Sequence, residues 1–363
     1  MKLFIDRSFA EERVKSQALA PSPFALHHLP GLVDTKTAFL REGMFRVLED
    51  NRFYDLADTP GGADIVFMPF NLGKVRLEDP DVERHYRHVA ERAGRPLLLD
   101  YFGDATEPVD GDRVIVLRTS SYRSELSANE VICPPVIEDI GAEYGFEPIE
   151  KPARPSIGFV GLAQKRGAAT PFSRILRYGR QDYLYSALAL WSSRYGKRRS
   201  GIYFRDRALR TLEHADEIDT DFTTRAYWGR GKRARNRIGH DQIRAEFIEN
   251  MRRNLYLLSV RGRGNFSLRF FEILSAGRIP VQIDTDSPLP LEDEIDYSAF
   301  MIRQHWTRLS DLPARLDRVH AETDESMLYE MQSRARSAFE SRLRFDRFVA
   351  DLFARHLPTL IAR

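Results

Sequence analysis

Residues 255–284 follow an order of sequence patterns that few folds can accommodate. Positions 255–260 form a continuous apolar run, and positions 261–265 contain two glycines. Positions 268–276 then carry apolar residues at helical spacing, and a second apolar run follows at 279–283. Gly277 stands where helices commonly end in left-handed backbone. Strand, glycine-bearing loop, helix and strand in this order make up a βα unit of a parallel sheet.

The same alternation of short apolar runs and helix-like stretches recurs along most of the chain. In the first half we predict a buried strand at 63–68 that stops at Pro69, because proline cannot donate to a strand ladder. A helix is predicted at 82–93, followed by a strand at 95–101. Continuous apolar strands are typical of a sheet covered by helices on both faces. The chain is therefore predicted to be α/β.

A proline-rich segment at 145–156 separates two halves of this pattern. At roughly 100–200 residues per domain, 363 residues are enough for two domains, and segments of this composition often link them. We predict a first Rossmann-like lobe at 1–150 and a second lobe at 151–338. A C-terminal helix is predicted at 339–363, and it can cross back to the first lobe.

The bulk composition excludes several classes of protein. The formal net charge of +2 gives no global reason to bind nucleic acid or an anionic membrane. The single cysteine, Cys133, cannot form an internal disulfide or supply a multi-cysteine metal site. No run approaches the ~18 apolar residues of a membrane span, and the first residues lack the apolar stretch of a signal peptide. We therefore expect a cytoplasmic protein, with peripheral contact at the inner face of the cell membrane left open.

The loop at 261–267 combines features that suit an anion. Loops at the carboxyl ends of parallel strands are where α/β sheets bind ligands, and a following helix directs its free amide groups there. Arg261 and Arg263 add two cations, and Ser267 stands at the N-cap position. Arg269 and Glu272 lie three apart on one helix face. A diphosphate beside a ribose would use such groups, but an intrahelical ion pair and two solvated arginines would give the same sequence.

This stretch also resembles the C-terminal signature of the exostosin family, glycosyltransferase family 47. The resemblance covers about a dozen positions at fixed spacing, with weaker similarity at 131–135, at 156–161 and at the basic pair Lys165-Arg166. The matching residues are Phe247, Met251, the apolar run 255–260, Arg261-Gly262, Ser267-Leu268-Arg269, Phe270-Phe271, Glu272, Gly277-Arg278-Ile279-Pro280-Val281 and Leu289-Pro290.

The resemblance implies a GT-B fold, in which two Rossmann-like lobes face each other across a cleft, with the acceptor in the first and the nucleotide-sugar in the second. It implies an inverting, metal-independent transfer of a sugar, from a UDP-sugar by preference, to a hydroxyl of an oligosaccharide or lipid-linked glycan in surface polysaccharide synthesis. No cofactor and no metal site are expected. The predicted nucleotide-sugar-binding residues are Lys165, Arg166, Arg261, Gly262, Arg263, Asn265, Ser267, Arg269 and Glu272.

One position departs from the pattern that GT-B enzymes commonly carry. Glu272 matches the second acid of a pair that is spaced eight positions apart, and that acid holds the ribose. The first acid would stand at position 264, which is Gly264 here. Asn265 is the neighbour that can substitute for it.

An inverting transfer requires a base for the acceptor hydroxyl and positive charge for the departing diphosphate. Arg269 is predicted to stabilise that charge. Asp104 is predicted to be the base, because it follows the strand at 95–101 on a loop of the first lobe. An Asx turn after Gly103 would explain Asp104 equally well. Asp100 at the strand end and the histidine pair His27-His28 are alternatives.

Three other segments have less specific patterns. The basic, aromatic segment at 225–237 is expected to be a solvated loop, with acceptor contact or nucleic-acid binding as alternatives. Core packing is expected for residues 181–191, with sugar stacking on Tyr183 or Trp191 as the alternative. Asp284-Thr285-Asp286 is expected to be a turn rather than a metal site, with contact with the sugar as the alternative.

Two other functions remain open at the level of sequence. The missing acid at Gly264 is compatible with a catalytically inactive GT-B partner subunit of a glycan-assembly complex. A nucleic-acid-binding protein that uses residues 225–237 is the second alternative, although no nucleic acid is expected as a partner.

Overall fold

A computed structural model describes residues 1–16, 19, 22–25, 53–163, 180–225 and 240–362. Four residues considered above, Lys165, Arg166, His27 and His28, lie outside these ranges, as do residues 226–237 of the basic segment. The chain divides into two units. Unit 1 comprises Met1–Glu138, Pro288–Leu291 and Ser341–Arg363, and unit 2 comprises Asp139–Ser287 and Glu292–Glu340.

The strands in the described ranges are short and mostly buried. In chain order they are β1 Lys2–Phe4, β2 Asp55–Leu56, β3 Ile65–Asn71, β4 Leu97–Tyr101, β5 Val114–Arg118, β6 Glu130–Ile132, β7 Ser156–Leu162, β8 Asp219–Arg225, β9 Tyr256–Val260, β10 Ile279–Asp284 and β11 Ile302–His305.

The helices alternate with these strands. They are α1 Arg7–Lys15, α2 Leu72–Glu78, α3 Asp81–Ala93, α4 Ile140–Tyr144, α5 Arg180–Leu188, α6 Gly201–Glu213, α7 His240–Arg253, α8 Leu268–Ser275, α9 Leu312–Glu322, α10 Glu325–Ala338, α11 Phe345–Asp351 and α12 Leu357–Ile361. Short 3₁₀ turns include Ser193–Arg198 and Trp306–Asp311, and π turns occur at Phe339–Leu343 and Leu352–His356. Within the described ranges, no helix is both long and apolar enough to cross a bilayer.

Each unit is built on one parallel sheet. The six strands that the structure describes in unit 1 lie in the order β2-β1-β3-β4-β5-β6, and the five described in unit 2 lie in the order β11-β10-β9-β7-β8. The strand pairs in the described ranges are all parallel, as the βα alternation requires. The predicted α/β class with two Rossmann-like lobes is confirmed.

Both sheets are buried on both faces, which explains their continuous apolar strands. In unit 1, one face of the sheet packs against α2 and α3 through residues such as Val75 and Tyr86, and the other packs against α11 and its neighbours through Phe348 and Leu352. In unit 2, one face packs against α6 and α9, and the other against α7 and α8. At about 25 cal/mol per Å² of apolar surface buried, these layers supply most of the driving force for folding.

The first buried strand runs further than the sequence predicts. Pro69 does not stop β3, which continues to Asn71. The register between β3 and β4 instead shifts between Met68 and Asn71. This irregularity accommodates the missing amide of Pro69, whose carbonyl accepts a hydrogen bond from Ser22 N at 2.7 Å.

Two predicted helix ends are confirmed. Gly94 follows α3 with φ 62°, and Gly277 follows α8 with φ 63°. Both glycines occupy left-handed backbone, in which residues with a Cβ are strained. Because Gly277 ends α8 sharply, β10 can begin two residues later and return to the sheet beside β9.

The units follow the chain differently from the predicted ranges. The first division falls between Glu138 and Asp139, so the proline-rich segment at 145–156 belongs to unit 2. Residues Ser341–Arg363 belong to unit 1, where Phe345, Phe348 and Leu352 pack with Leu3 and Ile65 in one core.

Candidate functional site

The carboxyl edge of the second sheet, where β9 ends, carries the loop that the sequence singles out. Val260 is the last residue of β9, and α8 begins at Leu268. The loop closes on itself, since Gly262 N donates to the carbonyl of Phe266 at 2.9 Å. Gly262 is half-buried, and Arg263 is exposed at the outer side of the loop.

Asn265 holds this loop in place. Its side chain is 1% exposed, and its Oδ1 accepts from Thr285 Oγ1 at 2.7 Å and from Arg261 Nη1 at 3.2 Å. Its Nδ2 donates to the carbonyls of Thr285 and Asp286 at 3.3 and 3.2 Å. These bonds engage both ends of the amide within the protein, so the observed geometry gives Asn265 the role of tying the loop to the turn after β10.

The N-terminus of α8 opens onto the same edge. Ser267 takes the N-cap position with extended backbone (φ −133°, ψ 117°), as predicted, but its side chain makes no capping bond. Side-chain capping normally satisfies one of the first amide groups of a helix. An anion bound here would meet these amides and the positive end of the helix dipole.

Arg269, in the first turn of α8, is held by aromatic rings. Its guanidinium carbon lies 4.3 Å from the ring centre of Phe247 and 5.5 Å from that of Phe159. Its Nε lies 3.8 Å from the carboxylate of Glu272, at the outer limit of an ion pair. Burial lowers the pKa of Arg269, and Glu272 offsets only part of this effect. The charge is thus costly to keep here without a further anion.

Arg205, which the sequence does not single out, is the third cation at this edge. It projects from α6, where its Nη1 donates to the carbonyl of Leu162 at 3.3 Å and its Nη2 to that of Arg261 at 3.0 Å. Burial, together with the positive charges of Arg269 and Arg261, lowers the pKa of Arg205 to about 10. We refer to Arg205, Arg261 and Arg269 as the arginine cluster.

A glycine allows α6 to approach the loop closely enough to deliver Arg205. A Cβ on Gly201 would lie 2.3 Å from the carbonyl oxygen of Gly262 and 2.4 Å from that of Arg261. Both contacts are far shorter than real Cβ atoms show, and both involve backbone that cannot rotate away. The first turn of α6 therefore rests directly on the β9–α8 loop.

The remaining predicted residues of this site occupy different environments. Glu272 is 22% exposed at its side chain and stays near Arg269 on the same helix face, as its spacing predicts. Arg261 is buried, with its Nη1 donating to the carbonyl of Lys197 at 3.3 Å. The structure thus brings Arg261, Ser267, Arg269 and Glu272 to one edge.

A further arginine ends the neighbouring edge strand. Arg225 is the last residue of β8 and pairs with Leu162 across the ladder to β7. Its Nη2 forms an ion pair with Glu246 of α7. Its buried Nε and Nη1 make no hydrogen bond with any part of the chain that the structure describes. Positive charge therefore extends from β9 to the edge of the sheet.

The turn after β10 matches its prediction. Asp286 has a positive φ of 66°, and the carboxylate of Asp284 accepts from Ser287 N at 3.0 Å. The Asp286 carboxylate pairs with Lys197 Nζ at 2.7 Å. Both aspartates thus serve the turn and its attachment to the segment before α6.

The carboxyl edge of the first sheet carries Asp104 on an exposed loop. Asn71 Nδ2 donates to the carbonyl of Phe102 at 2.8 Å. Gly103 N donates to Thr119 Oγ1 at 3.0 Å, and the same hydroxyl lies 2.9 Å from the Gly103 carbonyl. The backbone just before Asp104 is thus fastened from both neighbouring strands, while Asp104 itself is exposed.

Asp100, the alternative base, lies beneath this loop. Its carboxyl is fully buried, and its Oδ1 accepts from Phe102 N at 2.8 Å. Burial raises the pKa of Asp100 from 3.8 to about 6, against the opposing effect of bonds from Ser22, Phe102 and Asn71. A group without solvent exposure cannot take a proton directly from a docked hydroxyl in this conformation. The position of Asp100 and its bond to Phe102 N fit a role in supporting the loop.

Comparison with known proteins gives distant structural similarities. The chain is similar to TarM, with 10% identity over 82% of this chain and 54% of that one, at a TM-score of 0.37. It is similar to Anabaena Alr3699/HepE in complex with UDP, with 10% identity over 82% and 79% of the two chains, at 0.38. It is also similar to a glycosyltransferase from Rickettsia africae, with 9% identity over 100% and 98%, at 0.39. The chain spans about half the length of TarM.

No family profile matches the chain, and no curated protein matches it in sequence. Membership of the exostosin family therefore stays a prediction that rests on residues 247–290.

Proposed function

We propose that this protein is a glycosyltransferase that binds the diphosphate of a nucleotide-sugar at the arginine cluster. The observation that carries the proposal is the convergence of three arginines on the N-terminus of α8, at the carboxyl edge of a parallel sheet. Burial lowers the pKa of Arg205 and of Arg269 there, and the positive charges of Arg269 and Arg261 contribute to the lowering at Arg205. A doubly charged anion would relieve this repulsion and accept hydrogen bonds from the guanidinium groups.

Arg205 and Arg269 have little charge compensation within the part of the chain that the structure describes. The carboxylate closest to Arg269 in the described chain is that of Glu272, at 3.8 Å, and Arg205 donates only to backbone carbonyls. Burying a charge without a partner is costly, and a protein that keeps such a group commonly uses it. The cluster thus favours a ligand with two adjacent negative groups over a neutral one.

Glu272 would hold the ribose next to this diphosphate. It lies one helical turn beyond the N-terminus of α8, beside Arg269, where a carboxylate can accept hydrogen bonds from two vicinal hydroxyls. This role follows the exostosin resemblance, and Gly264 and Asn265 take no part in it, because Asn265 is occupied by its bonds to the turn after β10.

The transfer itself would be inverting. An acceptor hydroxyl attacks the anomeric carbon, the bond from that carbon to the diphosphate oxygen breaks, and the hydroxyl proton passes to a base. Arg269 and the α8 amides would stabilise the charge that grows on the departing diphosphate, which is the task of a metal ion in other transferases. We assign the base to Asp104, because it is the exposed carboxylate on a loop that Asn71 and Thr119 hold in place. A lipid-linked or oligosaccharide glycan is the proposed acceptor.

Titration calorimetry with UDP, UMP and uridine tests the donor site. Wild-type protein is expected to bind UDP more tightly than UMP, and uridine much more weakly, because the cluster contacts phosphate. Glu272→Ala should weaken UDP binding or turnover by about 10–1000-fold, through the loss of one or two hydrogen bonds to the ribose. Arg334→Ala, which removes an exposed arginine of α10 paired with Glu330, is the matched control and should bind normally.

Equal affinity for UDP and uridine would contradict the proposal that the diphosphate binds at this edge. Tight UDP binding with no release of UDP from a panel of UDP-sugars would instead support a catalytically inactive partner subunit. Addition of EDTA should leave turnover unchanged if the arginines alone carry the diphosphate charge.

A further inference from the structure

Helix α5 presents its apolar side chains outward. The apolar face, as we define it, consists of Tyr183, Leu184, Ala187, Leu190 and Trp191, and all five are exposed. Counted from Tyr183, the other four residues lie one, four, seven and eight positions later. At 100° per residue, this spacing places all five side chains within roughly one third of the helix circumference. Leu190 and Trp191 are 87% and 91% exposed. Core packing, which the sequence leads one to expect here, is therefore wrong for this face.

The helical backbone continues beyond α5 through Leu190 and Trp191. Beyond Leu188, Leu190 N donates to the carbonyl of Ala187 at 3.1 Å and Trp191 N to that of Leu188 at 3.0 Å. The apolar face is consequently one continuous stripe along the helix and its final turn.

Polar residues attach the opposite side of the helix to the protein. Asp182 is 3% exposed, and its carboxylate accepts from Ser200 N at 2.8 Å and pairs with Arg199 at 3.2 Å. Ser186 Oγ donates to the carbonyl of Asp182 at 2.7 Å. A helix on a water-soluble surface normally has the reverse arrangement, with its apolar side inward. The anchoring by Asp182 fixes an orientation in which the apolar face meets the surroundings.

The sequence around this face is strongly basic. Residues 180–200 contain five basic residues and one acidic residue, namely Arg180, Arg194, Lys197, Arg198 and Arg199 against Asp182. Residues 164–179 add Lys165, Arg166, Arg174 and Arg177 with no acidic residue. Because the whole chain carries only +2, this charge is a local concentration.

We propose that the apolar face docks on an anionic lipid surface. Exposed tryptophan and leucine enter the boundary between headgroups and acyl chains, and exposed basic residues nearby, such as Arg194, are attracted to anionic headgroups. A second copy of this chain fits less well, since a two-fold interface through this face would bring the same basic residues of both copies together. The charge therefore favours lipid as the occupant.

The docking surface is connected to the arginine cluster within unit 2. The 3₁₀ turn Ser193–Arg198 follows the apolar face directly, and the carbonyl of Lys197 accepts from Arg261 Nη1 at 3.3 Å. A lipid surface at α5 would thus lie next to the elements that hold the β9–α8 loop. This inference goes beyond the proposed function, and lipid docking can be measured without any sugar transfer.

Cosedimentation with vesicles tests the proposal. Full-length protein is mixed with vesicles of phosphatidylcholine alone or with 30 mole percent phosphatidylglycerol (about that fraction gives a strongly anionic surface). We expect partitioning onto the anionic vesicles, weakened by added salt. Leu190→Ser with Trp191→Ser should reduce the partition coefficient by about tenfold or more, since it removes the two most exposed large apolar groups of the face. Arg194→Glu should reduce it by a smaller factor.

Matched controls separate lipid docking from other effects. Leu77→Ser removes a side chain that is 77% exposed in unit 1 and should leave partitioning unchanged. Because the altered side chains of α5 are exposed, the double variant should keep its melting temperature and its affinity for UDP. A shift of tryptophan emission to shorter wavelength on anionic vesicles, absent in Trp191→Phe, would place that ring in the lipid.

Three results would overturn the proposal. The first is equal partitioning of the wild type and the double variant. The second is binding to neutral vesicles that is as strong as binding to anionic vesicles. The third is a wild-type dimer in ultracentrifugation that the double variant converts to a monomer without any vesicle binding, which would identify a second copy of the chain as the occupant.

Discussion

The carboxyl edge of the first sheet presents Asn71, Asp100 and Thr119, whereas the edge of the second presents Arg205, Arg261 and Arg269. Both sheets are parallel, and both are covered by helices on their two faces. At the first edge, a buried carboxyl and amide and hydroxyl groups hold a loop that carries an exposed acid. At the second edge, desolvated cations surround a helix N-terminus.

Under the proposed function, this difference would let one architecture prepare two reactants. The first edge suits a neutral hydroxyl that must lose a proton, because its exposed group is a proton acceptor on a fixed loop. The second edge suits an anion that must keep its charge during bond cleavage. The fold supplies the edges, and the side chains at the strand ends determine their chemistry.

Replacing the exposed acid of the first edge is expected to have the largest effect. Asp104→Asn keeps the size of the side chain but removes its proton acceptor, so kcat should fall by about 10²–10⁴-fold. The affinity for UDP should not change, because the arginine cluster is intact. Asp112→Asn, an exposed aspartate just before β5, serves as the control in the same steady-state assay. Unchanged kcat in Asp104→Asn would exclude it as the base.

The second edge should respond in turnover more than in binding. Arg269→Ala removes a donor that strengthens as charge develops on the diphosphate, so kcat should fall by about 10²–10³-fold. Arg269→Lys keeps the charge but loses the planar fork and its stacking on Phe247, and should recover only part of the activity. Full activity with lysine would mean that charge alone matters. An increase in KM with constant kcat would give Arg269 a binding role only.

The buried acid of the first edge should affect stability in a pH-dependent way. Since burial raises the pKa of Asp100 from 3.8 to about 6, the folded state holds a proton that the unfolded state has released between these values. The wild-type free energy of unfolding should therefore decrease as the pH rises from about 4 to about 6, and remain lower above that. Asp100→Asn lacks this cost and should be more stable at pH 7.5 by about 1–3 kcal/mol.

Urea unfolding at pH 4 and at pH 7.5 measures this effect. The stability difference between Asp100→Asn and the wild type should be present at pH 7.5 and nearly vanish at pH 4, while Asp112→Asn shows no such change. If Asp100→Asn is less stable at both pH values, the carboxylate is stabilised by its surroundings, and the first edge retains a buried charge as the second does.

Sequence patterns predict the elements of this fold better than they predict its site. The apolar runs at 97–101, 256–260 and 279–283 give the strands because continuous hydrophobicity is what a doubly covered sheet requires. Sequence patterns do not identify Arg205 as a site residue, because its helix, α6, has an ordinary amphipathic pattern. Its role arises from contacts with Leu162 and Arg261, which lie 43 and 56 positions away in sequence.

Two further predictions from the sequence are wrong for related physical reasons. Pro69 was expected to end β3, but a local shift in register accommodates it, which depends on the partner strand rather than on the residue. Residues 181–191 have the composition of a core helix, and the buried Asp182, through its bonds to Arg199 and Ser200, anchors the reversed orientation. For Asp104, Arg269 and Glu272, the sequence supplies position and chemistry, and their roles stay predictions.

Unit 1 is built from segments that are far apart in the sequence, and this affects the order in which the two units can fold during synthesis. Its strands β1 to β6 leave the ribosome first, yet their sheet is covered on one face by Phe345, Phe348, Leu352 and Leu357. Unit 2, whose segments end at Glu340, can be completed earlier. The nascent first half must therefore wait with one apolar layer uncovered until some 200 further residues have been translated, a delay of roughly 10–40 seconds at 5–20 residues per second. During that interval it is the part of the chain for which we expect a chaperone to matter.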